Sequence, residues 1–400
     1  MPSVLQICPK PPLPAIDGGC KAMYAITQGL MNNGAQVKIL TMSTFKHPFL
    51  PGKIPAVFLK KTGIEAVEID IKIKPKDAFI NLFSDKSYNV ERFINKDFEQ
   101  KLIEILTKTS YDSIILEGLY VTPYINILRK YSDAKIIYRE HNVEYLLWQR
   151  KAKSEKNPVK KSYLRLLAQR LKKYETKILN DVDGIAAITP TDAKLLKRTV
   201  PKIPIEFIPF GIDIPENMKP VKPNFSALRL FHIGAMDWFP NMEGIDWFLE
   251  NVWPKIRQKF PGITLHLAGR AMKKELMQAK IPGVKIYGEV PDALSFMNAN
   301  DIMIAPLFLG SGMRIKIIEA MALGKPVITT KIGGEGILYE NEKNICIAKT
   351  PQDFLNYLEK LQQPAYYNYV GKNAQILIKT TYGINEISNN LLNFITSLKS

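Results

Sequence analysis

In this 400-residue chain, short apolar runs alternate with amphipathic segments, and that alternation stops and restarts once. It opens with the apolar run Ser3–Cys8. The stretch from Pro9 to Gly19 carries Pro9, Pro11, Pro12 and Pro14 and is irregular. A helical pattern runs from Gly19 to Met31, Asn33-Gly34 ends it, and Val37–Thr41 reads as a strand. This is a strand–helix–strand unit whose long first loop ends in Gly18-Gly19 at a helix start. Further strands are predicted at Ser113–Leu116, Lys135–Tyr138, Gly184–Thr189 and Ile205–Ile208. Residues 209–224 then hold four prolines and a glycine, the signature of a linker.

The same order resumes after the linker. Strands are predicted at Arg229–Ile233, Thr264–Ala268, Val284–Tyr287, Asp301–Ala305, Pro326–Thr329 and Asn344–Ala348, with a helix at Asn241–Val252. Alternating strands and helices imply a parallel sheet covered on both faces. The expected class is therefore α/β: two Rossmann-like, doubly wound parallel-sheet domains facing each other across a cleft. The expected bounds are 1–208, a linker at 209–224, and 225–380. A last helix lies within 381–400, with the first domain as one place for it to pack.

Composition narrows the function. The chain is 46% hydrophobic and 23% charged, which rules out a mostly disordered protein. Cys8, Cys20 and Cys346 show no C-x-x-C spacing, so neither a disulfide framework nor a zinc site is indicated. No apolar run has the length of a membrane span, and the opening residues do not read as a signal peptide, so a cytoplasmic protein is expected. The net charge is +17 and implies an anionic partner. Its distribution is uneven: residues 145–178 alone hold 11 basic and 2 acidic side chains.

Ligands of doubly wound sheets sit at the carboxyl ends of strands. The loop after the strand ending at Ala305 is the richest such place. Gly310 and Gly312 let backbone approach a ligand, and a helix start behind them favours an anion. Arg314 and Lys316 place cations where they oppose helix stability, a conflict that a bound diphosphate resolves. Glu319 falls among Ile315, Ile318, Ala322 and Leu323 and needs a partner such as a ribose diol. The plainer alternative is an ion pair between Lys316 and Glu319 at i, i+3.

The segment Gly310–Ala322, continued through Leu323-Gly324-Lys325-Pro326-Val327-Ile328-Thr329-Thr330, carries a resemblance. So do Gly333–Ile337, the stretch Ile208-Pro209-Phe210-Gly211-Ile212-Asp213, the loop Gly234–Asn241, the opening Pro14–Gly19 and Glu140-His141-Asn142-Val143-Glu144. In this order they resemble the GT-B-fold retaining glycosyltransferases of family 4 (glycosyl transferases group 1), over essentially the whole chain. The pattern G-S-G-x-R-x-K-x-x-E is similar to a subgroup found in polysaccharide assembly.

The resemblance implies a nucleotide diphosphate sugar as donor substrate, no separate cofactor and no metal. Glu319 matches the second glutamate of the family's E-x7-E motif, which holds the ribose; the first falls on Ser311, a departure that touches donor-sugar identity. Arg314 and Lys316 would contact the diphosphate. Gly234, Gly310, Ser311, Gly312, Gly333, Gly334, Glu335 and Gly336 would line the donor, and Val290 the base. His141 would position the sugar, with Glu140 and Asn142 beside it, and Asp17, Gly18 and Gly19 would border the acceptor or phosphate. Asp181-Val182-Asp183 copies the D-x-D string of metal-dependent enzymes but precedes a strand, the wrong end for a site.

The expectation is a retaining, hexosyltransferase-like enzyme acting on a saccharide, lipid-linked or other hydroxyl acceptor. The alternatives are a nucleotide-sugar binder without turnover, a nucleotide-sugar epimerase and, last, a nucleic-acid binder; no nucleic-acid module is apparent. The basic segment 145–178 has two readings: a solvated helix face, or a patch that places the enzyme on the inner face of an anionic membrane.

Overall fold

A computed structural model describes residues 1–212, 218, 221–310 and 313–398. Ser311, Gly312 and Asp213 lie outside the described residues. Two sheets form, and every strand pair described is parallel. The first contains β1 (Ser3–Cys8), β2 (Gln36–Ser43), β3 (Glu65–Glu68), β4 (Ser113–Glu117), β5 (Lys135–Glu140), β6 (Gly184–Ala187) and β7 (Ile205–Phe207). Its spatial order is β3-β2-β1-β4-β5-β6-β7. The second contains β8 (Arg229–Ile233), β9 (Thr264–Ala268), β10 (Val284–Gly288), β11 (Ile302–Ala305), β12 (Val327–Thr329) and β13 (Cys346–Ile347), in the order β10-β9-β8-β11-β12-β13.

The central strands are near-continuous apolar runs because both faces are covered. Leu5, Ile7, Ile114, Leu116, Ile136 and Tyr138 sit in one core, and Leu230, Leu265, Leu267, Ile302 and Ile304 in another. The edge strand β3 escaped the sequence reading: Glu-Ala-Val-Glu is short, half exposed and barely apolar.

The chain divides into two compact units, Met1–Gly211 with Ile384–Ser400, and Ile212–Gly383. In the first, helix Ile384–Ser397 lies against helix Gly18–Asn32. A Cβ on Gly29 would fall 1.9 Å from Ser388 Oγ, so the glycine is what admits the close crossing. Asn32 Nδ2 donates to Asn385 Oδ1 at 2.9 Å. The basic segment forms two helices, Glu144–Ser154 and Pro158–Ile178. Asn157 caps the second through the Lys160 amide, and Pro158 opens it. Asp183 accepts from the Ile136 amide at 2.7 Å and pairs with Arg129 at 2.9 Å, a structural use of the D-x-D string. No helix of the described residues is long and apolar enough to cross a membrane.

Candidate functional site

In the first unit the strand order reverses between β1 and β4, so loops leaving their carboxyl ends diverge and open a crevice. The loop after β1 brings Lys10 and Asp17 together. Lys10 Nζ donates to Asp17 Oδ1 and Oδ2 at 2.8 and 2.7 Å, and His47 Nε2 lies 2.9 Å from Oδ2. Asp17 Oδ1 also accepts from the Cys20 amide and so caps helix Gly18–Asn32. Burial alone would raise the Asp17 pKa, but the His47 hydrogen bond and the Lys10 charge hold it far below the usual carboxylate range. A Cβ on Gly19 would meet Lys10 Nζ at 2.8 Å, so this glycine leaves room for the ammonium. Asp17, Cys20 and His47 offer ligand atoms within 4.8 Å of one another. Both Asp17 oxygens already face Lys10, however, and burial pushes the Cys20 thiol up to about 12, which makes a poor metal ligand set.

At the ends of β4 and β5, register does what sequence distance hides. Glu117 pairs with Arg139 across the strands. Glu117 Oε2 lies 2.6 Å from His141 Nε2 and 3.5 Å from Arg139 Nε. Its other oxygen accepts from Gln6 Nε2 at 2.7 Å, and Gln6 Oε1 accepts from Thr27 at 2.6 Å. Glu117 and Arg139 are both fully buried, whereas His141 is partly open. Burial would raise the Glu117 pKa, but the His141 hydrogen bond and the Arg139 charge lower it, so Glu117 is an anion that orients the imidazole.

Asn142 is half-buried beside His141, but Glu140 is not grouped with it. Successive strand residues point to opposite faces, and Glu140 is fully buried with neither carboxyl oxygen hydrogen-bonded. Burial, with Asp192 and Glu175 nearby, drives its pKa well above the carboxylate range. Glu175 accepts the Glu144 and Tyr145 amides at 3.1 Å each, and burial raises its pKa to about 8. Glu144 accepts from Tyr120 Oη at 2.9 Å, and burial lifts it to about 7.

In the second unit the order reverses between β8 and β11, and the loops that follow them carry the glycine-rich segment. Gly310 has φ +117°, in the region that favours glycine, and a Cβ there would meet Arg314 Nη2 at 2.6 Å and the Trp238 ring at 3.1 Å. The Arg314 guanidinium lies over Trp238, 5.4 Å from the ring centroid. Arg314 is the residue before helix Ile315–Ala322, whose N-terminus has no side-chain cap and no acidic residue in its first turn. Lys316 Nζ and Glu319 Oε2 are 2.8 Å apart. The plainer i, i+3 pairing therefore forms, with Glu319 buried and Lys316 about one-third exposed.

Two more loops close on this end of the sheet. Gly234 and Gly269 pack backbone to backbone: a Cβ on Gly269 would fall 1.8 Å from Gly234 O. Thr329 Oγ1 donates to Ala305 O at 2.6 Å, and Thr330 Oγ1 donates to Leu307 O and accepts from the Gly333 amide. These bonds tie the turn Gly333–Gly336 to the loop after β11. Gly334 is buried against Tyr339 and Glu335 is half-buried. Val290 follows β10 at the sheet edge, two strands from β8.

Sequence reasoning missed Lys10, His47, Glu117 and Trp238. Glu117 had a local signal, a carboxylate ending an apolar strand just before Gly118, but its partner becomes visible only through the β4–β5 register.

Residues 227–363 match the family described as Glycosyl transferases group 1. An uncharacterized 44.6 kDa protein in the cps region of Klebsiella pneumoniae is 25% identical over 272 residues, 64% of this chain and 67% of that protein. Among solved structures, sucrose-phosphate synthase from Thermosynechococcus elongatus aligns with a TM-score of 0.72 at 15% identity, over 100% of this chain and 99% of that one. Anabaena HepE, in complex with UDP and glucose, aligns at 0.64 and 14% identity over 98% and 99%. S. aureus TarM, in complex with Fondaparinux, alpha-GlcNAc-glycerol and UDP, aligns at 0.66 and 14% over 99% and 100%. At these identities the structures establish the fold alone, which is GT-B. The second unit thus matches glycosyl transferases group 1 over residues 227–363, the fold is that of GT-B enzymes, and the chain is a glycosyltransferase.

Proposed function

We propose that the protein moves a sugar from a nucleotide diphosphate sugar to an acceptor hydroxyl, with retention at the anomeric carbon. The observation that carries this reading is the cationic, glycine-lined helix start at the β8/β11 reversal. Arg314, Lys316 and the uncapped N-terminus converge there, with the buried Glu319 one turn behind. On donor binding, Lys316 turns from Glu319 to the diphosphate, and the freed Glu319 carboxylate accepts hydrogen bonds from the ribose diol. Gly310 and the turn Gly333–Gly336 present backbone to the donor, with Gly234 and Glu335 around it and Val290 near the base; Ser311 and Gly312 are assigned to the donor from the sequence alone.

As the anomeric C–O bond breaks, negative charge grows on the leaving phosphate. Arg314, Lys316 and the helix N-terminus stabilise it, and such preorganised groups are usually the largest catalytic term. The leaving phosphate oxygen takes the acceptor proton while the acceptor oxygen bonds to the anomeric carbon on the same face. The first unit supplies His141, oriented by Glu117, to position the donor sugar, and Asp17, Gly18, Gly19 and Asn142 on the acceptor or phosphate side. Residues Met1–Gly211 thus form the acceptor side and Ile212–Gly383 the donor side.

UDP is the favoured carrier, since HepE and TarM are both described with it, and the cps-region relative favours polysaccharide or glycoconjugate synthesis. Thermal shift against UDP- and GDP-sugars tests donor binding: a true donor at a hundred times its dissociation constant adds about 2.7 kcal/mol of stability. A flat response to every nucleotide sugar, with no donor hydrolysis, would remove this reading. Because protein cations carry the diphosphate charge, turnover is expected to survive EDTA; its loss would show that a metal shares that role.

A further inference from the structure

We propose that the first unit docks on an anionic lipid bilayer through an apolar tip at residues 73–83, seated beside the basic helix Pro158–Ile178. The reading is independent of the transfer chemistry. Ile73, Phe79, Ile80 and Phe83 are 68%, 62%, 58% and 81% exposed, a local concentration of large apolar side chains in a chain whose other apolar runs are largely buried. Phe79 and Phe83 meet edge to face at 5.5 Å, so they form one tip.

The tip is held to the basic helix. Arg170 Nη1 donates to Asn81 O at 2.8 Å and to Asn81 Oδ1 at 3.1 Å, and Nη2 donates to Leu82 O at 2.9 Å. On that helix Val159, Tyr163, Leu166, Arg170, Lys173 and Lys177 recur at three- and four-residue spacing, forming one edge. Val159 is 79% exposed and Lys173 and Lys177 are exposed, so apolar and basic groups continue along the edge. Lys72, Lys74, Lys76 and Lys86 flank the tip, with Lys74 paired to Asp70 and Lys86 to Glu91 and with Asp77 and Asp85 in the same stretch, so the main basic charge comes from the helix beside it.

Charge complementarity selects the occupant. Residues 145–178 hold 11 basic and 2 acidic side chains, so the partner is anionic. A second copy would bring the same basic face against itself in a two-fold contact. Nucleic acid would use the charge and the aromatic rings, but Ile73, Ile80 and Leu82 offer no stacking face for bases. Exposed aliphatic and aromatic side chains beside a basic helix suit the boundary between headgroups and acyl chains.

Vesicle flotation of the full chain tests this. It should float with phosphatidylglycerol-containing vesicles at low salt and not with pure phosphatidylcholine, more weakly as salt rises. The double substitution Phe79→Ser with Phe83→Ser should weaken binding about tenfold or more, and so should Lys173→Glu with Lys177→Glu. These residues are exposed, so unchanged circular dichroism is expected. In a separate variant, Phe83→Trp, emission should shift to the blue only with anionic vesicles. Failure of the wild-type chain to float overturns the proposal, as does flotation unaltered by the serine pair. Without flotation, a dimer or an RNA complex lost in the serine pair would assign the tip to that partner instead.

Discussion

Lys316 and Glu319 pair at 2.8 Å, and in the proposed reaction the donor offers each a better partner. In Arg314→Ala, nucleotide diphosphate affinity is expected to fall at least about tenfold, because a charge-assisted contact to phosphate is lost; isothermal titration reads it directly. Gly310→Ala should do the same by another route, since a methyl there both strains a backbone at φ +117° and strikes Arg314. Glu117→Gln keeps the shape but removes the anion that orients His141. The expected result is a fall in kcat of about tenfold or more with little change in donor KM, and an altered pH–rate profile. An unaltered profile would reduce Glu117 to a structural role. Gly310, Arg314, Lys316 and Glu319 were legible in the sequence because they lie within one loop and one helix turn. The Glu117–His141 and Asp17–His47 pairs were not, because parallel strands join residues that the chain keeps far apart.

Among the elements, the start of helix Glu144–Ser154 carries an unusual load. Its amides are received by Glu175, and Glu144 and Glu175 have pKa values raised to about 7 and 8. In the unfolded chain both titrate near 4.5. Between about pH 4.5 and 8 the folded state therefore holds protons that the unfolded state has lost. The sign follows: these groups make stability fall as pH rises through that window, by up to about 1.4 kcal/mol per pH unit for each group. Glu175→Gln should flatten the decline in melting temperature across that range, and an unchanged slope would remove Glu175 from the account. The elements themselves were readable because buried parallel strands are continuous apolar runs. β3 was not, since this half-exposed edge strand has no such run; other strand ends shifted by a residue or two, outlasting the apolar run at β2, β4 and β5 and stopping short of it at β6, β7 and β13.

At the scale of the whole molecule, the chain leaves the first unit, forms the second and returns to complete the first. Helix Ile384–Ser397 buries Ile387, Leu391 and Ile395. At about 1.5–3 kcal/mol for each buried side chain, deleting residues 384–400 is expected to remove a large share of the stability of the first unit. Calorimetry should show a lower or lost transition for that unit, with the second little changed. The charge divides in a similar way: residues 145–178 hold a large share of the basic excess, whereas Arg314 and Lys316 act by position. We propose that this cationic helix start turns over a nucleotide diphosphate sugar. The most direct test is nucleotide diphosphate release from UDP-sugars by the wild-type chain, Arg314→Ala and Glu319→Ala, each checked for folding. We predict release by the wild type and a loss of about a hundredfold or more in both folded variants. Equal release by all three would contradict the account.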